Sequence, residues 1–209
     1  MAYSSNILAI VGQDENENFS PKKLTIWTTD SDSVLCEREF LFKIEAVRLN
    51  KSRLLACLKD KIHIYNMTNM KFLVSVNVSF TLGRLALSPS SDCPYLVYSD
   101  SIENGNLVIY DVHALIQKKE VLAHKSPIIR LAINYYGSYI VTASCKGTLI
   151  RVFNVPEGDR ICSFRRGINN AQIYSLNFNI NSTCVTLSSS SGTIHIFKIP
   201  GKLDIPGEE

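Results

Sequence analysis

The chain has 209 residues, 45% of them hydrophobic and 20% charged, which describes a globular protein of one medium or two small domains and excludes a disordered one. A formal net charge of +3 is too small to draw nucleic acid by bulk attraction, so any anion site has to come from local placement. The opening MAYSSNILAIVGQDENENF lacks the basic start and apolar core of a secretory signal, and no apolar run approaches the ~18 residues of a spanning helix.

Taken in chain order, the predicted elements are short strands. ILAIVGQDENENFSPKKLTIWTT opens with an apolar strand, a polar stretch and a second strand ending in an aromatic. The same unit recurs as LLACLKDKIHIYNM, YLVYSDSIENGNLVIYDV, YIVTASCKGTLIRVFNV and CVTLSSSSGTIHIFKI. Its aromatic markers, Trp27, Tyr65, Tyr110, Phe153 and Phe197, are spaced by 38 to 45 residues, close to the ~40–45 residue period of WD40 blades. A further strand precedes four of these pairs (IEAVRLN, LGRLALS, IIRLAIN, IYSLNFN), and another follows three of them (MKFLVSVNV, QKKEVLA, RICSFRR). Even spacing and enrichment in Val, Ile, Tyr and Phe predict an all-β, WD40-like β-propeller.

With the strands of a blade lettered A to D, residues 7–41 supply B, C and D of a partial blade. Residues 42–80, 81–123 and 124–166 are full blades, residues 167–199 supply A, B and C of a last partial one, and 200–209 is a tail. Three full and two partial blades leave strand edges unpaired. The expectation is one propeller domain over residues 1–209 that is part of a longer chain.

The six cysteines, Cys36, Cys57, Cys93, Cys145, Cys162 and Cys184, include no C-x-x-C pair, so they are expected to be reduced, buried thiols without zinc or redox chemistry. No metal site, cofactor or catalytic residue is expected. His124, Ser144 and a carboxylate do not make a hydrolase triad without a G-x-S-x-G elbow on a strand–turn–helix. NNAQIY and NYYGSY carry aromatics but not the interleaved basic residues of a stacking groove, so no nucleic-acid partner is expected.

The chemistry concentrates at ICSFRRGINN, residues 161–170, where Arg165 and Arg166 stand side by side at a strand end. Successive side chains of a strand point to opposite faces, so the two guanidinium groups are expected to serve two different anion sites. Hydroxyls, imidazoles and cations lie in the flanking repeats: His124, Lys125 and Ser126 in LAHKSP; Ser144, Lys146, Thr148 and Arg151 in TASCKGTLIR; Ser189, Thr193 and His195 in SSSSGTIH. Arginine gives bidentate charge-assisted bonds to phosphate, and Ser and Thr add hydroxyl bonds. The plain structural alternative is that the hydroxyls are turn residues and the arginines pair with Glu157 or Asp159 of PEGD.

FRRG, preceded by AHKSP, SCKGTLIRVF and PEG and followed by GTIHIF, resembles the PROPPIN family (WIPI proteins) in order and spacing over residues 124–199, and more loosely back to residue 1. The resemblance implies a seven-bladed propeller of autophagy and endolysosomal membranes that binds phosphatidylinositol 3-phosphate and phosphatidylinositol 3,5-bisphosphate at two rim sites. The first would use His124, Ser144, Lys146, Thr148, Arg151 and Arg165; the second Arg166, Ser189, Thr193 and His195. Phe164 and Gly167 would be structural, Gly167 allowing the sharp exit of the chain.

Judged against seven blades, the start and the end of the propeller are missing. The family's hydrophobic membrane loop, between strands C and D of its sixth blade, would follow the last predicted strand. PGKLDIPGEE offers Leu203 and Ile205 but no extended apolar loop. The implied protein is a cytoplasmic adaptor, peripheral on phagophore, autophagosome or endolysosomal membranes, with autophagy proteins as partners. The alternative is a protein-interaction scaffold without lipid binding, in which Arg48, Lys51 and Arg53 contact an acidic segment of a partner.

Overall fold

The computed structural model describes residues 6–13, 20–78 and 84–200. Among them are eighteen β-strands and no helix, and every strand pairing is antiparallel. Two compact units divide the chain, Met1–Ser79 and Phe80–Glu209.

The first unit holds two sheets. β1 (Ile7–Val11), β2 (Lys23–Thr28) and β3 (Ser33–Glu39) form a three-stranded sheet. β4 (Ala46–Leu49), β5 (Arg53–Cys57), β6 (Lys61–Asn66) and β7 (Phe72–Asn77) form a four-stranded one. Leu24, Ile26, Leu54, Ala56 and Tyr65 make their common core.

The second unit holds three sheets. β8 (Leu85–Leu87), β9 (Tyr95–Tyr98), β10 (Gly105–Asp111) and β11 (Ile116–His124) form one; β12 (Ile128–Ile133), β13 (Tyr139–Ser144), β14 (Leu149–Asn154) and β15 (Arg160–Arg165) form another. β16 (Ile173–Phe178), β17 (Cys184–Ser189) and β18 (Ile194–Lys198) form a three-stranded sheet. Strand order follows chain order in every sheet, and the first strands β8, β12 and β16 pack side by side. Val97, Leu107, Ile109, Ile140 and Phe153 fill one core of this unit, and Val141, Ile150, Val152, Ile173, Val185 and Leu187 another. Middle strands such as β10 and β13 are buried on both faces, whereas the outer β11 and β15 turn most of their side chains to solvent.

A polar residue closes the first strand of four sheets. The Asn50 Oδ1 accepts from the Arg53 amide at 2.8 Å, the Asn134 Oδ1 from the Tyr139 amide at 2.9 Å and the Asn179 Oδ1 from the Cys184 amide at 2.9 Å. Ser88 substitutes its hydroxyl in the second unit's first sheet, accepting from the Ser90 amide. These side chains mimic a backbone turn and fix the hairpin between first and second strands.

One expectation changes. All six cysteines are free thiols, but only Cys57 is buried; Cys145, in the β13–β14 turn, is exposed, and the other four are half-buried. His124 pairs with Gly105 as the last residue of β11. Residues 201–209, with Leu203 and Ile205, lie outside the described residues.

Candidate anion-binding rim

β15 carries Phe164 and Arg165 to the edge of its sheet, where Phe164 pairs with Ile150 and Arg165 with Leu149 of β14. One more backbone bond, from the Arg166 amide to the Thr148 carbonyl at 2.9 Å, extends this pairing past the strand end. The chain then returns toward β16, held by a bond from the Ala171 amide to the Lys146 carbonyl at 3.1 Å. The β13–β14 turn, residues 145–148, is therefore the anvil on which FRRG is set. Gly147 makes the close approach possible: its φ is +63°, and an added Cβ would meet the Ala171 carbonyl oxygen at 2.0 Å.

Alternation separates the two arginines. The Phe164 ring stacks on Phe197 of β18, with centroids 4.9 Å apart and planes at 4°, so this face looks toward the following sheet. Arg166 reaches the same sheet: its Nη1 lies 3.4 Å from Ser191 Oγ, in the β17–β18 turn. Arg165 stands on the other face, exposed, and has neither hydrogen bond nor ion pair among the described residues. Its neighbour on that face is Arg151, two positions along β14 from Leu149, whose Nη1 donates to the Ala123 carbonyl of β11 in the preceding sheet. Glu157 and Asp159 do not pair with either arginine.

The second group of expected residues comes together. Arg166 donates its Nε to the Gly147 carbonyl at 2.7 Å and its Nη2 to the Asn169 carbonyl, which aims the guanidinium. From Ser191 a hydroxyl chain runs both ways: Ser189 Oγ lies at 2.8 Å and Thr193 Oγ1 at 2.9 Å, and Thr193 Oγ1 is 2.9 Å from His195 Nε2. The His195 ring stacks on Phe197, so Phe164, Phe197 and His195 form one ladder of rings beneath the site. Ser189 is buried, Thr193 and Ser191 are exposed and His195 is half-buried. Sequence reasoning chose Ser189 from SSSSG and missed Ser191, because the run itself does not say which hydroxyl comes within reach of Arg166; that is Ser191, with Ser189 behind it.

The first group is not joined by hydrogen bonds. His124 is only 3% exposed, and its Nε2 lies 2.9 Å from Thr142 Oγ1 of β13. Burial, then the nearby Arg151 charge, push its pKa down to about 4, so it is a neutral brace inside the sheet packing and not an imidazolium facing the rim. Ser144 is buried where β13 pairs with Ile128, and its carbonyl accepts from the Gly147 amide at 2.8 Å. Lys146 is exposed; Thr148 contributes its carbonyl to Arg166. Arg151 is half-buried with its Nε unsatisfied, and burial lowers its pKa from the ordinary arginine value. Of the cations in this group, Arg165 and Lys146 are exposed.

Gly167 departs from expectation too. It has no left-handed φ, and an added Cβ would meet nothing within 4 Å, so no conformational demand makes it glycine. Arg48, Lys51 and Arg53 lie on and around the β4–β5 turn of the first unit. No group of three or more His, Cys, Asp or Glu able to hold a metal occurs among the described residues, nor any helix long and apolar enough to cross a membrane.

The family model described as PROPPIN matches residues 2–208. The protein called Autophagy-related protein 18 of Dictyostelium discoideum is 40% identical over 200 residues, covering 95% of this chain and 53% of its own length. Its namesake from Yarrowia lipolytica is 37% identical over 221 residues, covering 95% and 55% respectively. The chain thus spans about half the length of the curated relatives it matches. A solved complex of KlAtg21 with the coiled-coil of AgAtg16 superposes with a TM-score of 0.83 at 30% identity, over 95% of this chain and 65% of that one, and identifies the fold as a β-propeller.

Proposed function

Because the chain belongs to the PROPPIN family, we propose that it is a phosphoinositide-binding propeller adaptor acting in autophagy. Residues 42–80, 81–123 and 124–166 are read as full blades and 7–41 and 167–199 as partial ones. Its ligands are phosphatidylinositol 3-phosphate and phosphatidylinositol 3,5-bisphosphate, held at two rim sites on either side of the sheet β12–β15. The reading rests on one observation above others: adjacent guanidinium groups at one sheet end, Arg165 exposed on one face and Arg166 tied into the Ser191–Thr193–His195 chain on the other. Arg166 gives charge-assisted bonds to a phosphate and the hydroxyls complete its shell, with Ser189 bracing Ser191 from below. Arg165 and Lys146 hold the other phosphate, and His124, Ser144 and Arg151 stiffen the sheet behind them.

Neither site encloses its ligand, so each binds weakly, and attachment comes from engaging both on one membrane. The protein then works by marking a place, with no chemistry of its own, as a cytoplasmic protein peripheral on phagophore, autophagosome or endolysosomal membranes. Partner recruitment is the second half of the proposal, and the relative solved with the AgAtg16 coiled-coil supports autophagy proteins as the partners. The test is flotation of the chain with liposomes carrying each phosphoinositide in turn. Binding to the two named lipids and not to phosphatidylinositol alone, lost on Arg165→Thr/Arg166→Thr, is the expected result; equal flotation of the double variant overturns it.

A further inference from the structure

The segment that follows FRRG also walls a cavity of about 480 Å³, lined by Arg84, Arg130, Cys145, Asn170, Gln172 and Ser190. Arg84, Asn170 and Gln172 precede the first strands β8 and β16, Arg130 lies in β12, and Cys145 and Ser190 sit in the turns after β13 and β17, all within the second unit. Two permanent cations face this space and no carboxylate lines it. Arg84 spends its Nη1 on the Ser101 carbonyl at 3.2 Å, and Arg130 spends its Nε on the Tyr174 carbonyl at 3.1 Å and its Nη1 on the Ile129 carbonyl at 2.9 Å. These acceptors are neutral. The Nε and Nη2 groups of Arg84 and the Nη2 of Arg130 have no acceptor among the described residues. Burial lowers the pKa of Arg84 from its ordinary value, the mark of a cation that has lost water without gaining an anion. Ser190 Oγ accepts from the Gln172 amide at 3.0 Å, which leaves its proton to give.

We propose that this cavity is an anion site for a small phosphorylated ligand, separate from the rim sites of Arg165 and Arg166. A phosphate monoester carries close to two negative charges at neutral pH and three acceptor oxygens. Those match two guanidinium groups with free N–H donors, a hydroxyl and the amides of the exposed Asn170 and Gln172. Ligand pockets run from roughly 300 to 1,000 Å³, so the space takes a phosphate with a small organic body as well as a bare ion. A soluble phosphate ester and a lipid headgroup share this chemistry, and the experiment tells them apart.

Cys145 supplies the readout, because it lines the cavity and is the one exposed thiol of the chain. Alkylation of Cys145 by iodoacetamide, followed by mass spectrometry, is measured with inorganic pyrophosphate, with liposomes carrying phosphatidylinositol 3-phosphate, and with neither. Pyrophosphate at several times its dissociation constant is expected to slow Cys145 about five-fold. The same protection is expected in Arg165→Thr/Arg166→Thr, which separates this site from the rim. Protection by liposomes and not by pyrophosphate assigns the site to a lipid headgroup. No protection by either overturns the proposal, as does protection that vanishes in the rim double variant. Arg84→Gln/Arg130→Gln should abolish the effect; should that variant not fold, Gln172→Glu places a carboxylate at an exposed position of the wall and is expected to abolish it with both arginines retained.

Discussion

Thr193 Oγ1 lies 2.9 Å from His195 Nε2, and the same hydroxyl lies 2.9 Å from Ser191 Oγ, so an imidazole on β18 is wired through two turn hydroxyls to the guanidinium of Arg166 on the neighbouring sheet. Such a relay gives the rim site a defined shape before any ligand arrives. It also makes Arg166 different in kind from Arg165, although the two are neighbours in sequence.

That difference separates the two arginines in stability. Arg166 holds the Gly147 and Asn169 carbonyls together, so Arg166→Thr should cost about 1.5–3 kcal/mol, the range for bonds with a charged donor. Arg165→Thr removes an exposed side chain with no partner and should stay within about 0.5 kcal/mol of the parent. Urea unfolding of the two single variants measures this, and equal losses would show that Arg166 is as solvated as its neighbour. On the proposed reading of two weak sites engaging one membrane, both variants should lose liposome flotation more than they lose affinity for a soluble headgroup.

His124 predicts an acid-sensitive fold. Its folded-state pKa of about 4 lies below the ordinary histidine value near 6.5, so the unfolded chain takes up the proton first. The contribution of neutral His124 is fully present above pH ~6.5 and is lost as pH falls toward ~4, on the order of 2–3 kcal/mol at the lower end. His124→Gln, which keeps a group able to bond Thr142, should flatten that part of the stability–pH curve. Liposome binding measured between pH 7.5 and 6 should keep the same pH dependence in this variant, since the ring does not face the rim. A changed profile would return His124 to the lipid site.

How far these residues could be read beforehand depended on what each signal reports. Alternation along RICSFRR separates Arg165 from Arg166 without any coordinates, because strand geometry has a period of two. The recurring aromatics likewise announce a repeated β-unit, and the all-β fold follows. What alternation cannot report is which sheet covers a given face. His124 and His195 look alike in sequence, yet Thr142 and the preceding sheet bury the first, while the ring of Phe197 holds the second half open. Ser191 hid in a run of four serines for the same reason. The closing asparagines Asn50, Asn134 and Asn179 did carry a signal, the same residue at the end of three first strands.

The two glycines of the site should respond in opposite ways. Gly147→Ala forces a side chain into a left-handed φ of +63° and against the Ala171 carbonyl, so it should cost roughly 2 kcal/mol or more and disturb Arg166 with it. Gly167→Ala meets open space at an ordinary φ and should be neutral or raise stability by up to about 1 kcal/mol, since the unfolded chain loses freedom. Thermal unfolding of both variants decides the matter. A destabilised Gly167→Ala would mean that the motif's glycine serves a conformation other than the one seen, such as the lipid-bound rim.

Ser191 tests whether the hydroxyl chain binds ligand or merely tidies a turn. It is exposed and its hydroxyl touches Ser189, Thr193 and Arg166, so Ser191→Ala should leave unfolding within about 0.5 kcal/mol of the parent. Binding of a soluble phosphoinositide headgroup should weaken by about ten- to a hundred-fold, the loss of one hydrogen bond to a charged group. Ser191→Asp goes further: a carboxylate between Arg166 and Thr193 would claim the guanidinium for itself and repel phosphate, so the second site should close while Arg165 and Lys146 stay as they were. Flotation should then fall to the level of Arg166→Thr and not to that of the double arginine variant, because one site still works. If Ser191→Asp binds headgroup as well as the parent, the chain from Arg166 to His195 is a brace for the β17–β18 turn, and phosphate meets the rim through Arg165 alone.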